Sequence, residues 1–251
     1  FLQFDGTEDS IYRELRGEEL FESKCKAIEN CDRQGIGVVL VPTLIPGVNV
    51  DNIGEIIRFG LAHIDTVRGI HFQPVSYFGR TPRIPRDEDR ITLPEVIAEI
   101  ERQTDGKIKA DTMKPPQCEN SLCSFHGSYI FLGNDNLMSL GSRTSCCGTG
   151  TAAEGARKAK SYVVRNWSSR GLDGKEAPSM PGPGEAIGFD EILNSMRSNS
   201  FSISGMAFQD VWNVDLERVR DCCIHVATPE GKLIPFCAYN MTDREGRPLY
   251  R

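Results

Sequence analysis

The chain contains no apolar stretch approaching the roughly twenty residues that a membrane helix needs. Its longest, across residues 38–50, is interrupted by Pro42 and Pro46, which excludes a transmembrane span and leaves no membrane partner to expect. Residues 1–6 likewise carry neither the basic start nor the small-residue cleavage site of a secretory leader. Clustered positive charge is scarce. The formal net charge is −6, and the short run Arg157-Lys158-Ala159-Lys160 does not make the basic surface that phosphate contacts demand, so nucleic acid is excluded as a partner. A disulfide framework is absent too: the nine cysteines are an odd number in a chain too long to need staples. They fall into the groups Cys118/Cys123, Cys146/Cys147 and Cys222/Cys223/Cys237. The expected setting is a reducing cytoplasm in which thiolates serve metal or redox chemistry.

What is present is enough apolar residues for a sizeable core, at 39% with a mean hydropathy of −0.33. Residues 1–6 (FLQFDG) and 37–49 (GVVLVPTLIPGVN) are short apolar runs bounded by Gly, Asp and Pro. With one helical stretch between them they predict two buried parallel strands of a βαβ unit. That helix is expected from Gly17 to about Asp32, with Leu20, Phe21, Cys25 and Ile28 on its inner face and Gly35 just past its end. Asp51 is expected to cap a second helix running to about Ala62, with Ile53, Ile56, Ile57 and Leu61 inward and His63 at its C-terminal end. Residues 67–75 predict a third parallel strand. Thr92-Leu93-Pro94-Glu95 begins a further helix that Asp105-Gly106 ends. Helices are expected over 151–168 and 187–198 on either side of a Gly/Pro-rich linker, and residues 222–228 and 233–238 predict a hairpin.

Several groups carry chemistry. Arg80, after the third strand, offers a guanidinium fork to a substrate carboxylate or phosphate, or is an exposed loop arginine. Cys237, one or other of Cys222 and Cys223, and Cys118 with Cys123, with His126 just beyond, are candidate metal ligands. On a strand, adjacent cysteines point to opposite faces, so only one of Cys222 and Cys223 should ligate. The alternative is that they are buried core thiols. Cys146 and Cys147 stand in a Ser/Thr/Gly-rich loop before the 151–168 segment, where a helix N-terminus would lower a thiol pKa. They are candidate catalytic thiols, methyl-accepting or redox-active, unless the loop simply packs. Gly148-Thr149-Gly150 resembles a phosphate loop only weakly, since the lysine is missing.

The segments Gln3-Phe4-Asp5-Gly6, Leu15-Arg16-Gly17, Ala27-Ile28-Glu29-Asn30-Cys31, Val41-Pro42-Thr43 with Pro46-Gly47-Val48-Asn49, and Phe72-Gln73-Pro74-Val75-Ser76-Tyr77-Phe78-Gly79-Arg80 follow one another in a telling order. In that order and spacing they resemble the second half of a radical S-adenosylmethionine barrel. The tail, Cys222-Cys223-Ile224-His225 through Ile234-Pro235-Phe236-Cys237-Ala238-Tyr239-Asn240, is similar to that of the radical methylases of tetrahydromethanopterin-biosynthesis type and their bacterial relatives. The resemblance covers most of the chain. One departure stands out: the family's three cysteines, separated by three and then two residues, which hold the catalytic [4Fe-4S] cluster, have no counterpart here.

The resemblance implies an α/β fold: the C-terminal half of a partial (β/α) radical SAM barrel over 1–80, then a mixed α+β cysteine-rich region. That region divides into an insertion over 81–170, a linker over 171–188 and a closing helix and hairpin over 189–251. It implies S-adenosylmethionine as cofactor, with Gln3 near its ribose or sulfonium, Thr43 and Asn49 closing the next strand end, and Gln73 and Ser76 bordering adenine or substrate. Asp5 is a further candidate, although Asp5 and Asn49 also read as a turn and an Asx cap. The implied activity is C-methylation of an unactivated carbon in a small, cofactor-like substrate, with an electron donor such as ferredoxin or flavodoxin and an auxiliary iron–sulfur or zinc site. The chain itself, starting inside a strand without the cluster motif, reads as an inactive C-terminal fragment. The alternative reading is a non-catalytic, cysteine-rich metal module that binds a protein or peptide.

Overall fold

Four consecutive apolar residues, Val38, Val39, Leu40 and Val41, are all buried, as a central strand flanked on both edges requires. This strand, β2 (Val38–Val41), lies between β1 (Leu2–Gln3) and β4 (Val67–Pro74) and runs parallel to both, with Leu2 opposite Leu40 and Leu40 opposite Ile70. The expected parallel pairing is present, but in shorter pieces. Pro42 lacks an N–H and separates β2 from β3 (Thr43–Leu44), which pairs separately with Gln73 and Pro74 of β4. The computed structural model of the protein describes residues 1–115, 120–133, 136–140, 157 and 199–250.

Two helices, not one, connect β1 to β2. The first, α1 (Asp9–Arg16), ends at Gly17, whose φ of 80° is the left-handed cap and whose N–H bonds Arg13 O at 3.0 Å; Gly17 therefore closes a helix instead of opening one. The second, α2 (Phe21–Arg33), buries Ile28 and half-buries Cys25, in keeping with the expected inner face. Next, α3 (Ile53–Ala62) buries Ile53, Ile56, Ile57 and Leu61. Asp51 is not its cap: a 3-10 turn over Val50–Asn52 precedes the helix with Asn49 in the capping position, while Asp51 points outward to Arg102 at 3.4 Å. His63 ends the helix, exposed and stacked on Phe59 at 4.2 Å. The fourth helix, α4 (Leu93–Gln103), starts where expected, and the structure adds a capping box there, Thr92 N donating to Glu95 Oε2 at 2.7 Å.

The sequence did not suggest the rest of the sheet. Strands β5 (Ser124–Gly133), β6 (Asn136–Ser139) and β7 (Ser200–Met206) extend it in the order β1-β2-β4-β7-β5-β6, with β3 on β4. β7 lies parallel to β4, and β5 runs antiparallel to both β7 and β6. This one sheet draws strands from the 1–80, 81–170 and 189–251 segments. Its apolar face packs Phe4, Leu40, Ile70, Phe72, Phe125, Tyr129, Phe201 and Ile203 into one core with α3 and α4, and Phe4 stacks on Phe59 at 4.8 Å.

The tail consists of α5 (Leu216–Arg220), the hairpin β8 (His225–Ala227) with β9 (Leu233–Pro235), and α6 (Phe236–Asn240). The hairpin is where the sequence predicted it, but Cys222 and Cys223 precede β8 and Cys237 sits in α6, so the argument from opposite strand faces does not apply to them. The linker at 171–188, the 187–198 helix, nearly all of 151–168, and Cys118, Cys146 and Cys147 lie outside the described residues. Among the described residues, no helix is long and apolar enough to cross a membrane.

Candidate functional site

The ends of β1, β2 and β3 meet around a buried carboxylate. Asp5 is fully buried, and its Oδ1 accepts from Gln3 Nε2 at 2.7 Å, Arg16 Nη2 at 3.0 Å and Thr43 N at 3.1 Å. Its Oδ2 accepts from Arg16 Nε at 2.8 Å. A buried charge must be both paired and hydrogen-bonded, and the last turn of α1 brings Arg16 to meet that need. The carboxylate in turn raises the Arg16 pKa. Asn49, also buried, ties the same strand ends together: its amide donates to Asp5 O at 2.9 Å and Thr43 O at 2.8 Å and accepts from Ile45 N at 2.8 Å.

Gln3, Asp5, Thr43 and Asn49, named from sequence as a nucleotide site, are thus brought together. Their roles differ. The carboxylate of Asp5 and the amide of Asn49 are used inside the protein and act as positioning groups. Gln3 and Thr43 are half-buried, and Gln3 also donates to Thr43 Oγ1 at 3.2 Å. Both donor contacts of the Gln3 amide are thus directed inward. Arg16 was missed as a site residue. A signal for it existed, since a buried Asp calls for a cation, but nothing local says which one.

Ser76 belongs to a second knot. Its hydroxyl donates to Phe208 O at 2.9 Å. Beside it, fully buried Asp210 accepts from Tyr77 N at 2.8 Å, from both arms of Arg90 at 2.9 Å and from Trp212 N at 3.1 Å. The Arg90 guanidinium also lies 5.0 Å from the Tyr77 ring centroid. This knot, not foreseen from sequence, pins the segment after β4 to the one after β7. Gln73 is half-buried on β4, and exposed Arg80 is joined through its backbone to Glu245.

The tail thiols approach one another without forming a complete ligand set. Arg218 Nη2 stands 3.4 Å from Cys123 Sγ and 3.1 Å from Ala207 O, and its buried Nε has no partner among the described residues. Gln209 N donates to Cys237 Sγ at 3.4 Å. Burial pushes the Cys237 thiol pKa up, and Cys222 and Cys123 act in the same direction against the Gln209 N–H and Arg218. Cys222 Sγ is directed to Ile224 O at 3.1 Å, and Cys223 is exposed. His126 stands away from them on β5, opposite Ser204. Among the described residues, no group of three His, Cys, Asp or Glu side chains is placed to hold a metal ion.

No family model matches the chain. It is similar to the 7,8-dihydro-6-hydroxymethylpterin dimethyltransferase of Methanocaldococcus jannaschii, 35% identical over 290 aligned positions that cover 98% of this chain. The chain spans 56% of that protein's length. The relative is an enzyme, a methyltransferase named for a pterin.

Proposed function

We propose that this chain forms the ligand-binding part of a radical S-adenosylmethionine C-methyltransferase that acts on a carbon of a reduced pterin or closely related ring. The observation that carries this reading is the 35% identity extending over 98% of the chain to a pterin dimethyltransferase. Within the proposal the sheet is part of the (β/α) barrel, and the network at the ends of β1 and β3 supports the S-adenosylmethionine pocket. There Asp5, Arg16 and Asn49 fix Gln3 and Thr43, whose amide carbonyl and hydroxyl suit the ribose and aminoacyl groups. S-adenosylmethionine supplies the radical-forming chemistry when bound. The catalytic [4Fe-4S] cluster does not fit the residues present, because no three cysteines here have the required spacing. A reducing cytoplasm with a ferredoxin or flavodoxin donor completes the reading. A metal module in the tail is a second component, with Cys237, one of Cys222 and Cys223, Cys123 and Cys118 as its candidate ligands, the last outside the described residues.

The test is to express the full-length protein in a host that lacks pterin methylation and to analyse extracted pterins by mass spectrometry. The expected result is pterin carrying one or more added methyl groups on ring or side-chain carbon. Unmethylated pterin alone, with the protein soluble and folded, would overturn the proposal.

A further inference from the structure

The sheet has two faces of different character. On β4, Ile70 and Phe72 enter the core, so Gly69, His71 and Gln73 lie on the opposite face. On β7 the core takes Phe201 and Ile203 and leaves Ser200, Ser202, Ser204 and Met206. On β5 it takes Phe125 and Tyr129 and leaves Ser124, His126 and Ser128. The registers align these residues into rows. Gly69 pairs with Ser202 and Ser202 with Ser128; His71 pairs with Ser204 and Ser204 with His126. Gln3 pairs with Val41, and the pairs Leu40–Ile70 and Thr43–Gln73 put Val41 beside His71. A single row, Gln3, Val41, His71, Ser204 and His126, therefore crosses five neighbouring strands and begins at the residue anchored by Asp5.

The row is organised by hydrogen bonds. His71 Nδ1 lies 2.9 Å from Ser204 Oγ. The Ser204 hydroxyl also reaches Ile70 O at 3.5 Å, so Ser204 orients the His71 ring through Nδ1. Ser128 Oγ lies 3.4 Å from His126 Nε2. His71, Gln73, Ser202, Ser204 and Ser128 are half-buried, and His126 is exposed. A strand face that merely meets water favours a β-branched polar residue such as threonine; glycine is a poor strand former, and serine adds neither a β-branch nor a charge. Here Gly and Ser recur on adjacent strands together with two imidazoles, and no carboxylate, ammonium or guanidinium stands in the five-strand row. Charges stand at its two ends: the Asp5–Arg16 pair beside Gln3, and Lys114, whose backbone pairs with His126 at 3.0 and 2.8 Å. Small side chains keep this face low, and the remaining groups of the row offer donors and acceptors without a net charge.

We infer that this row is the floor of the substrate site. On it lies a planar, uncharged heteroaromatic ring, with His71, oriented by Ser204, and His126 reading the donors and acceptors along the ring edge. The place of the site follows from the row itself; naming the ring a pterin rests on the proposed function. A charged ligand such as a phosphate ester does not suit the middle of the row, where Val41, His71 and Ser204 offer no cation, and at the Gln3 end the Arg16 guanidinium is already paired with Asp5.

The experiment uses the full-length protein and titrates it with 6-hydroxymethylpterin by fluorescence and with S-adenosylmethionine by calorimetry. His71→Phe and Ser204→Val should each weaken pterin binding about tenfold, the loss of one well-placed hydrogen bond, and leave S-adenosylmethionine affinity unchanged. His71→Gln, whose side-chain amide reaches the position of Nε2, should recover part of the loss. Ser204→Ala, the smallest change, should weaken pterin binding in the same way and replaces a bulkier variant that does not fold. Unchanged pterin affinity in the folded variants overturns the inference, and methylated pterin can still form in cells under that outcome. If the parent binds no pterin but binds hypoxanthine in a His71-dependent way, the row stands and the pterin reading falls. Equal weakening of S-adenosylmethionine would make the row a nucleotide floor and overturn its assignment to substrate.

Discussion

Replacing Arg16 by Met tests whether Asp5 organises the site, because the change keeps the aliphatic stem and removes only the guanidinium. In the parent, Asp5 Oδ2 has Arg16 Nε as its donor at 2.8 Å, and Oδ1 shares Arg16 Nη2 with Gln3 and Thr43. Without Arg16, Oδ1 keeps two donors and Oδ2 keeps none, on a carboxylate whose side chain is 1% exposed. Removing one partner of a buried pair costs about 3–5 kcal/mol, and a surface pair contributes about 0–1 kcal/mol. The Arg16 side chain is 38% exposed, so water can reach the vacated position and the expected loss is about 2–3 kcal/mol. Asp5→Asn should cost a similar amount, since it sets an amide N–H against a guanidinium N–H. The double variant should lose about 1–2 kcal/mol less than the sum. Urea unfolding followed by circular dichroism at constant m-value measures all three. A loss below about 1 kcal/mol for Arg16→Met would show that the pair behaves as a surface contact and that Asp5 does not hold the strand ends.

Two further outcomes are expected. Tyr12 is fully buried and donates to Gly6 O at 3.0 Å, and burial raises its pKa well above the usual phenol range. The unfolded chain therefore releases this proton near pH 10 while the folded chain keeps it, so Tyr12 contributes stability below about pH 10 that falls away as pH rises further. Tyr12→Phe should flatten that alkaline decline while lowering stability at neutral pH by about 1 kcal/mol; an unchanged slope in chemical unfolding between pH 9 and 11 would contradict the assignment. In the tail, Cys237→Ser in the full-length protein should lose bound iron or zinc, whereas Cys25→Ser, a half-buried thiol on α2, should not. Elemental analysis showing equal metal in both, or none in the parent, would make the tail thiols ordinary core groups.

What could be read in the sequence was local. The apolar run at Val38 to Val41, the inward isoleucines of α3 and the helix start at Thr92 to Glu95 are each decided by residues within a turn or a strand of one another, and the structure has all three. Gln3, Asp5, Thr43 and Asn49 were named as a group through the family resemblance, and they meet in the structure because strand ends of a parallel unit converge on one rim. Arg16 was not, since which cation meets a buried carboxylate depends on how α1 returns across the sheet. The same limit hid Asp210, whose partners Tyr77 and Arg90 lie more than a hundred residues away in sequence.

The serine-rich strand is a different case, because its signal was present in the letters. Residues 200–206 read SFSISGM, an alternation of period two whose apolar members, Phe201 and Ile203, are buried; residues 124–131, SFHGSYIF, carry a similar pattern. Serine suits turns, and a run that mixes it with Gly and His does not read as a strand by composition. Yet the choice of polar partner in such an alternation is informative. If the exposed positions existed only to meet water, threonine or valine at Ser202 and Ser204 would favour the strand by up to about 1 kcal/mol. Keeping small hydroxyls there, against Gly69 and His71 of the neighbouring strand, forgoes that stability at the middle of the sheet. A protein just above its stability threshold gives up such increments where a ligand needs the space or the hydrogen bond, which is the pattern that the inferred substrate floor over β4 and β7 would require.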